Sequence, residues 1–286
     1  MFRSNRSARA ALAALALLGM GAARAEAPMP KIGVQLWSVK DDLRKDFDGT
    51  LGRLAAMGFE GVELAGQFGP YRKDAPGLRA ALDKHRLRCA GAHVQLSQLS
   101  EKNFAATTAY YTTVGCANLI VPSDPRAATR EGAALLAADL SALSPKLAPL
   151  GMRIGYHNHA EEMAGAPGRE PWLVIGDGTP AATVLEQDVG WTSYAGKDPV
   201  AMVRRFPGRT VTTHYKAKIR PGADGAPIIG RDKADWPALI AANRGVGGTE
   251  WILVEQEEYP EGMAPLEAVE ASMRGLQAIV AGRPAG

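Results

Sequence analysis

His157 and His159 stand two residues apart in YHNHAEE, Glu186 and Asp188 two apart in LEQD, His214 and Lys216 two apart in THYK, and Glu255 and Glu257 two apart in VEQEE. A spacing of two puts both side chains of such a pair on the same face of a β-strand. Glu63 in GVEL and His93 in GAHV close two further apolar runs, and Gln35 and Trp37 close a third in GVQLW. Of the five histidines only His85 lies away from such a run. Imidazoles and carboxylates move protons near neutral pH and ligate divalent cations. A lone histidine in a strand is more often a satisfied core or surface residue, and a lone buried acid usually has a basic partner. Eight or more such groups at the ends of apolar strands are a different matter. Unpaired charges there are costly, and a bound divalent cation that neutralises them is the economical explanation.

Carboxylates mixed with one or two imidazoles suit Mn²⁺, Zn²⁺, Co²⁺ or Fe²⁺ better than Ca²⁺. The expected ligands are Asp188, His214 and Glu255, with a fourth from the YHNH strand or the loop after it. Glu162 and His157 compete for that place, and neighbouring Glu161 reads equally well as a solvated loop residue. Glu186 and Glu257 share faces with ligands and are expected to orient them.

The elements that must position these residues alternate strand and helix. An amphipathic helix, a glycine near its end and a short apolar strand recur in LGRLAAMGFEGVELAG, KLAPLGMRIGYHNH and IAANRGVGGTEWILVE. Glycine best tolerates the left-handed conformation that ends a helix, and parallel strands need helical crossovers. Apolar and β-branched runs predict strands near 31–37, 60–64, 88–93, 117–121, 152–157, 182–188, 210–216 and 250–255. Helices are predicted near 44–57, 76–86, 101–114, 128–149, 197–206, 234–244 and 264–281, whereas 160–180 reads as a long loop with at most a short helix. Eight such units in this length describe a (β/α)₈ TIM barrel, whose chemistry sits at the carboxyl ends of the strands. An open doubly wound sheet is the runner-up. It usually carries a glycine-rich phosphate turn after the first strand, which VQLWSVKDD lacks.

Residues 1–25 read as a secretory signal peptide. Arg3, Arg6 and Arg9 precede the apolar run Ala10–Met20, and Ala23-Arg24-Ala25 offers a small-x-small cleavage site. The apolar run is too short to span a bilayer, which needs about twenty residues. Cleavage removes four arginines and no acid, so 33 bases against 30 acids become 29 against 30, and the formal charge of +3 becomes −1. A nucleic-acid binder needs a basic stripe, and none is visible. Residues 26–286 are read as one TIM-barrel catalytic domain, periplasmic or secreted, with no membrane partner after cleavage. The two cysteines, Cys89 and Cys116, open predicted strands among apolar neighbours. They are expected to be buried free thiols in preference to a disulfide. Long loops at the barrel mouth lean toward a homodimer.

Taken together, IGVQLWSV, GVELAG, YHNHAEEM, LEQDVGWTSYAGKDPVAMVRRFPGR, THYK and VEQEEY resemble the sugar phosphate isomerase/epimerase family with the xylose-isomerase-like barrel. The resemblance runs from about 31 to 280. It implies a metal site built from Glu, Asp, His and Glu of the later strands, which transfers to Asp188, His214 and Glu255 and, least securely, to Glu162 or His157. Many relatives follow the His-x-Lys of strand seven with Asp, where this chain has Ala217. A cation held by a sugar's carbonyl and adjacent hydroxyl acidifies the C–H between them. The proton can return to the other face, return to the neighbouring carbon, or give way to loss of a substituent. His157 or His159 is the expected base, with Glu162 and Glu63 as rivals and Lys216 as a group that polarises a carbonyl or holds a hydroxyl. Gln35, Trp37, Glu63, His93 and Trp191 are the expected substrate contacts. The expected partner is a small carbohydrate, free, oxidised or glycosidic, since sugar phosphates stay in the cytoplasm and no glycine-rich loop or arginine cluster awaits a phosphate. The expected activity is isomerisation or epimerisation. Cleavage of 3-keto-glycosides by the same proton abstraction, or non-catalytic sugar binding, are the alternatives.

Overall fold

Eight parallel strands close on themselves in the computed structural model, which describes residues 27–260 and 262–284. The segment read as a signal peptide lies outside the described residues. The strands are β1 (Lys31–Gln35), β2 (Gly61–Leu64), β3 (Arg88–His93), β4 (Asn118–Val121), β5 (Arg153–His157), β6 (Val184–Asp188), β7 (Thr212–Tyr215) and β8 (Trp251–Val254). Each pairs with its sequence neighbours, and β1 closes the ring by pairing with β8, Val34 beside Val254. The predicted strands are all present, shorter by zero to three residues. This is a (β/α)₈ barrel.

The helices fill the connections: α1 (Lys40–Lys45), α2 (Phe47–Ala56), α3 (Ala75–Lys84), α4 (Glu101–Val114), α5 (Arg130–Leu147), α6 (Pro171–Gly178), α7 (Val189–Tyr194), α8 (Pro199–Arg205), α9 (Trp236–Ala242) and α10 (Pro265–Val280). The helix predicted at 44–57 is two. Asp46 interrupts it in an extended conformation, and its carboxylate accepts the Gly49 N–H at 2.9 Å, capping α2. α7 was not predicted; Asp188 starts it by accepting the Trp191 N–H at 2.8 Å. Gly115 closes α4 at φ 89°, in the left-handed region where a side chain is strained, and hands the chain to β4.

Period-two alternation sorts each strand into a face toward the helices and a face toward the barrel axis. Val34, Val62, Ile154, Leu185 and Ile252 belong to the large core beneath the helices. The axial positions near the strand starts are apolar or glycine. A Cβ on Gly61 would lie 2.7 Å from the Trp251 ring, one on Gly33 2.9 Å from Leu253, and one on Gly155 2.4 Å from Ile120. Large side chains from β4 and β8 therefore fill the barrel floor in the space these glycines leave. Two residues further along the same face stand Gln35, Glu63, His93, His157, Glu186, His214 and Glu255. The polar residues are gathered because each ends an axial column whose lower positions are packed.

One expectation is corrected. Cys89 and Cys116 form a disulfide, with Cα atoms 5.0 Å apart. They open neighbouring strands β3 and β4, whose register-paired residues are confined to Ala92–Leu119 and His93–Ile120. Where that ladder is missing, the two chains run within bridging distance.

Candidate active site

At the carboxyl end of the barrel a pocket of about 450 Å³ is lined by Gln35, Trp37, His93, His157, His159, Glu255 and Glu257, with Gln95, Gln98, Pro122 and Ser123 on the opposite wall. A cluster of buried ionisable groups adjoins it, two of them, His157 and Glu255, lining it. Glu63, Glu186, Asp188 and His214 are fully buried, and His157, Lys216 and Glu255 nearly so.

Among the described residues, two overlapping sets of donor atoms could hold a cation: His157, Asp188, His214 and Glu255, and His93, His157, Glu186 and His214. In each set the donor atoms lie within 4.8 Å of one another. The first set comes from four consecutive strands, β5 to β8. His214 Nδ1 is 2.9 Å from Glu255 Oε2 and 4.0 Å from Asp188 Oδ2, and His157 Nε2 is 3.9 Å from the same Asp188 oxygen. Asp188 Oδ2 also stands 3.0 Å from Lys216 Nζ, an ion-pair distance, yet has no aligned hydrogen-bond donor. His157 Nδ1 likewise has no hydrogen-bond partner. The two unsatisfied atoms fall in different sets: Asp188 Oδ2 faces His157 Nε2 in the first, and His157 Nδ1 faces Glu186 Oε1 at 3.6 Å in the second, so each set holds one buried polar atom without a partner.

Further buried groups hold the histidines. His214 Nε2 lies 2.7 Å from Glu63 Oε2 and 3.2 Å from Glu186 Oε1. His93 Nε2 is 3.2 Å from both acids, Gln35 Nε2 donates to Glu63 at 2.7 Å, and Thr212 Oγ1 donates to Glu186 at 2.5 Å. Burial opposes charge on His93, but the charges of Glu63 and Glu186 and their hydrogen bonds outweigh it and push its pKa up to about 9. The same contest, settled by Glu186, Glu255 and Glu63, holds His214 well above the ordinary imidazole value. His157 goes the other way: burial, with the charges of His214 and His159, pushes it well below 6.5 and keeps its ring neutral. Burial alone would raise Glu186 and Glu255. The charge of His214 on Glu186, and those of Lys216 and His214 on Glu255, hold both well below the usual carboxylate range. Asp188 is raised, chiefly by burial and by the charge of Glu255, against the pull of Lys216.

The expected site residues are placed as follows. Asp188, His214 and Glu255 converge, and His157 lies with them, its donor atom within 4.8 Å of theirs. Glu162 takes no part in either set. It is buried behind the pocket, where its Oε1 accepts the Tyr156 hydroxyl at 2.7 Å and its Oε2 accepts the His159 N–H at 2.8 Å. Its carboxylate thus shapes the turn that presents His159. Gln35, Trp37 and His93 line the pocket, Glu63 is buried and does not line it, and Trp191 packs against His159 at a tilt, with ring centroids 5.6 Å apart. Lys216 does not line this pocket itself: its ammonium pairs with Glu255 and Glu257, which do, and its side chain lines a second, smaller cavity. Sequence reading missed Asn158, whose Oδ1 accepts the Asp188 N–H at 3.0 Å and whose Nδ2 donates to the His159 carbonyl at 3.1 Å. Lying between the two histidines of YHNH, it faces away from the axis and ties β5 to β6. Gln95, Gln98 and Ser123 were missed too, because they sit in loops with no periodic signal.

The barrel shares its fold with solved structures of sugar phosphate isomerase/epimerase and xylose-isomerase-like TIM-barrel proteins. No protein-family model matches the chain. An inosose dehydratase of Clostridium botulinum (strain Alaska E43 / Type E3) is 25% identical over 275 residues, covering 81% of this chain and 90% of that protein. A sugar phosphate isomerase/epimerase of Parabacteroides distasonis ATCC 8503 superposes with a TM-score of 0.70 at 23% identity, over 91% of this chain and 97% of that one. The IolI protein, solved with a bound zinc atom, superposes with a TM-score of 0.65 at 14% identity, over 88% and 98%.

Proposed function

We propose that this protein is a divalent-metal-dependent enzyme that abstracts a proton beside the carbonyl of a keto-sugar or related polyol. The observation that carries the proposal is the convergence of His157, Asp188, His214 and Glu255 beside an open pocket lined by further imidazoles and carboxylates. The donor set fits a cation such as Mn²⁺, Zn²⁺, Co²⁺ or Fe²⁺. Asp188, Glu255 and Glu257 also surround a single ammonium, that of Lys216.

A cation held by these four residues supplies electrophilic stabilisation of the charge that develops on a carbonyl oxygen during deprotonation. The remaining steps belong to the side chains. His157 is committed to the donor set, so His159 is the base: it lines the pocket, and Glu162 and Asn158 fix its backbone through the N–H and the carbonyl. Glu257 lines the same pocket and faces substrate as the second proton-transfer group. Gln35, His93, Gln95 and Gln98 offer hydrogen bonds to hydroxyls, and Trp37 offers an apolar ring face at the rim.

Two outcomes share this proton abstraction. Return of the proton is epimerisation or isomerisation, which the structural neighbours' names favour; departure of a substituent is dehydration or lyase cleavage, which the inosose dehydratase relative favours equally. We take the protein to be exported as well; the Cys89–Cys116 disulfide supports an oxidising compartment.

The test is elemental analysis together with exchange in D₂O. The purified protein should carry about one Mn, Zn, Co or Fe per chain, and Asp188→Asn should lose it. Incubated with keto-sugars, inososes and 3-keto-glycosides, it should leave deuterium in recovered sugar or release water or aglycone. A metal-free protein that still turned over would remove the metal from the reading. Saturable sugar binding without exchange or product would replace the enzyme with a binding protein.

A further inference from the structure

We infer that Lys216 is the internal cation of this site: without metal its ammonium occupies the place between Asp188, Glu255 and Glu257, and a divalent ion arriving at Asp188 and Glu255 displaces it onto Glu257. The inference rests on the metal-binding reading above and adds to it how the site stands when empty and what sets its affinity.

The ammonium makes three short ion pairs, at 3.0 Å to Asp188 Oδ2, 2.8 Å to Glu255 Oε2 and 2.7 Å to Glu257 Oε2. The first two oxygens are the same ones that face His157 and His214. An ammonium and a divalent ion therefore call on one pair of oxygens, and each must weaken the other's hold. The third partner differs. Glu257 belongs to neither donor set, so it remains available to the lysine once the other two are taken.

The surroundings of Lys216 allow it to move. Its side chain lines a cavity of about 220 Å³, shared with Val189, Gly190, Ser193 and Lys218 and distinct from the main pocket. The stem passes over Gly190, where a Cβ would lie 3.0 Å from both Cβ and Cγ of the lysine. The Trp191 ring, 5.3 Å from Nζ, offers an aromatic face to a retreating ammonium. Lys218 does not compete for the carboxylates, because it pairs with Glu258 and lies over Trp191 at 4.0 Å.

Removing a competing cation has the opposite sign to removing a residue that orients ligands, and this makes the inference testable by binding alone. The experiment titrates chelator-stripped protein with Mn²⁺ and Zn²⁺ by calorimetry, comparing wild type, Lys216→Met, Lys216→Arg and Glu257→Gln, with thermal melts of each. Lys216→Met should bind at least ten-fold more tightly than wild type, melt lower without metal, and gain more from its addition. Lys216→Arg, which keeps the charge, should bind no more tightly than wild type. If Lys216→Met does not fold without metal, Glu257→Gln decides: having lost the group that receives the ammonium, it should bind metal several-fold more weakly. Equal or weaker binding by Lys216→Met, or unchanged binding by Glu257→Gln, overturns the inference while leaving the metal centre in place. A wild-type protein and variants that all bind no metal would remove both.

Discussion

Nε2 of His214 stands 2.7 Å from Oε2 of Glu63, joining β7 to β2 across the barrel. Nδ1 of the same ring faces Glu255 at 2.9 Å. A neutral imidazole has one N–H and one lone pair. When Nε2–H donates to Glu63, the lone pair of Nδ1 is left for a cation. Glu63→Gln should therefore weaken metal binding by about 10–100-fold while circular dichroism stays that of a folded barrel. Metal titration of the two proteins checks this; equal affinities would show that the ring is oriented without Glu63.

His93 makes the metal-free protein sensitive to alkali. Its folded pKa is raised to about 9 from 6.5, so the proton is bound more tightly in the folded state. The stability this contributes is fully present below pH 6.5 and is lost as pH rises through 9. Melting temperature of the metal-stripped protein should fall between those values, and His93→Gln should flatten the decline. On the acid side the sign reverses. Glu186 and Glu255, held low by their cationic neighbours, contribute stability above the ordinary carboxylate range that is lost as pH falls below it.

Reducing the Cys89–Cys116 disulfide, which spans 27 residues, releases a loop whose closure is worth about 3.5 kcal/mol in the chain-entropy model. A Cys89→Ala, Cys116→Ala variant should melt several degrees lower. Its metal content should be unchanged, because the bond lies at the strand starts and the site at the strand ends. Parallel melts with and without a reductant give the comparison, and a variant that loses metal along with stability would contradict it.

Trp37 is 41% exposed at the pocket rim with Lys40 4.8 Å above its ring. Trp37→Ala should change stability by no more than about 0.5 kcal/mol, the range of ordinary surface substitutions, yet raise KM several-fold for whichever sugar is turned over. A KM that does not move would make the ring a bystander.

The chain's own pattern was enough for the barrel. Eight apolar runs at crossover spacing, with glycine closing the helices before β4 and β5, leave little room for another arrangement, because every strand buried on both faces must be apolar along its length. The same pattern exposed the site, since residues such as Glu186, Asp188, His214 and Glu255 break that rule only where their strands end. Boundaries such as the split at Asp46 were less visible, because a cap depends on one side chain reaching one N–H.

Local order along the chain cannot say which of two acids or imidazoles in neighbouring turns reaches the axis. Only three-dimensional packing sets His157 beside Asp188 and keeps Glu162 apart from it: β5 aims His157 inward, while Tyr156 and the His159 N–H hold Glu162 behind the turn. The disulfide was equally hidden, because the 5.0 Å between Cys89 and Cys116 arises from two strands placed side by side by the barrel and not from any spacing along it. Residue type and period set which groups could meet; distance and burial set which of them share an oxygen, as Lys216 and His214 do at Glu255.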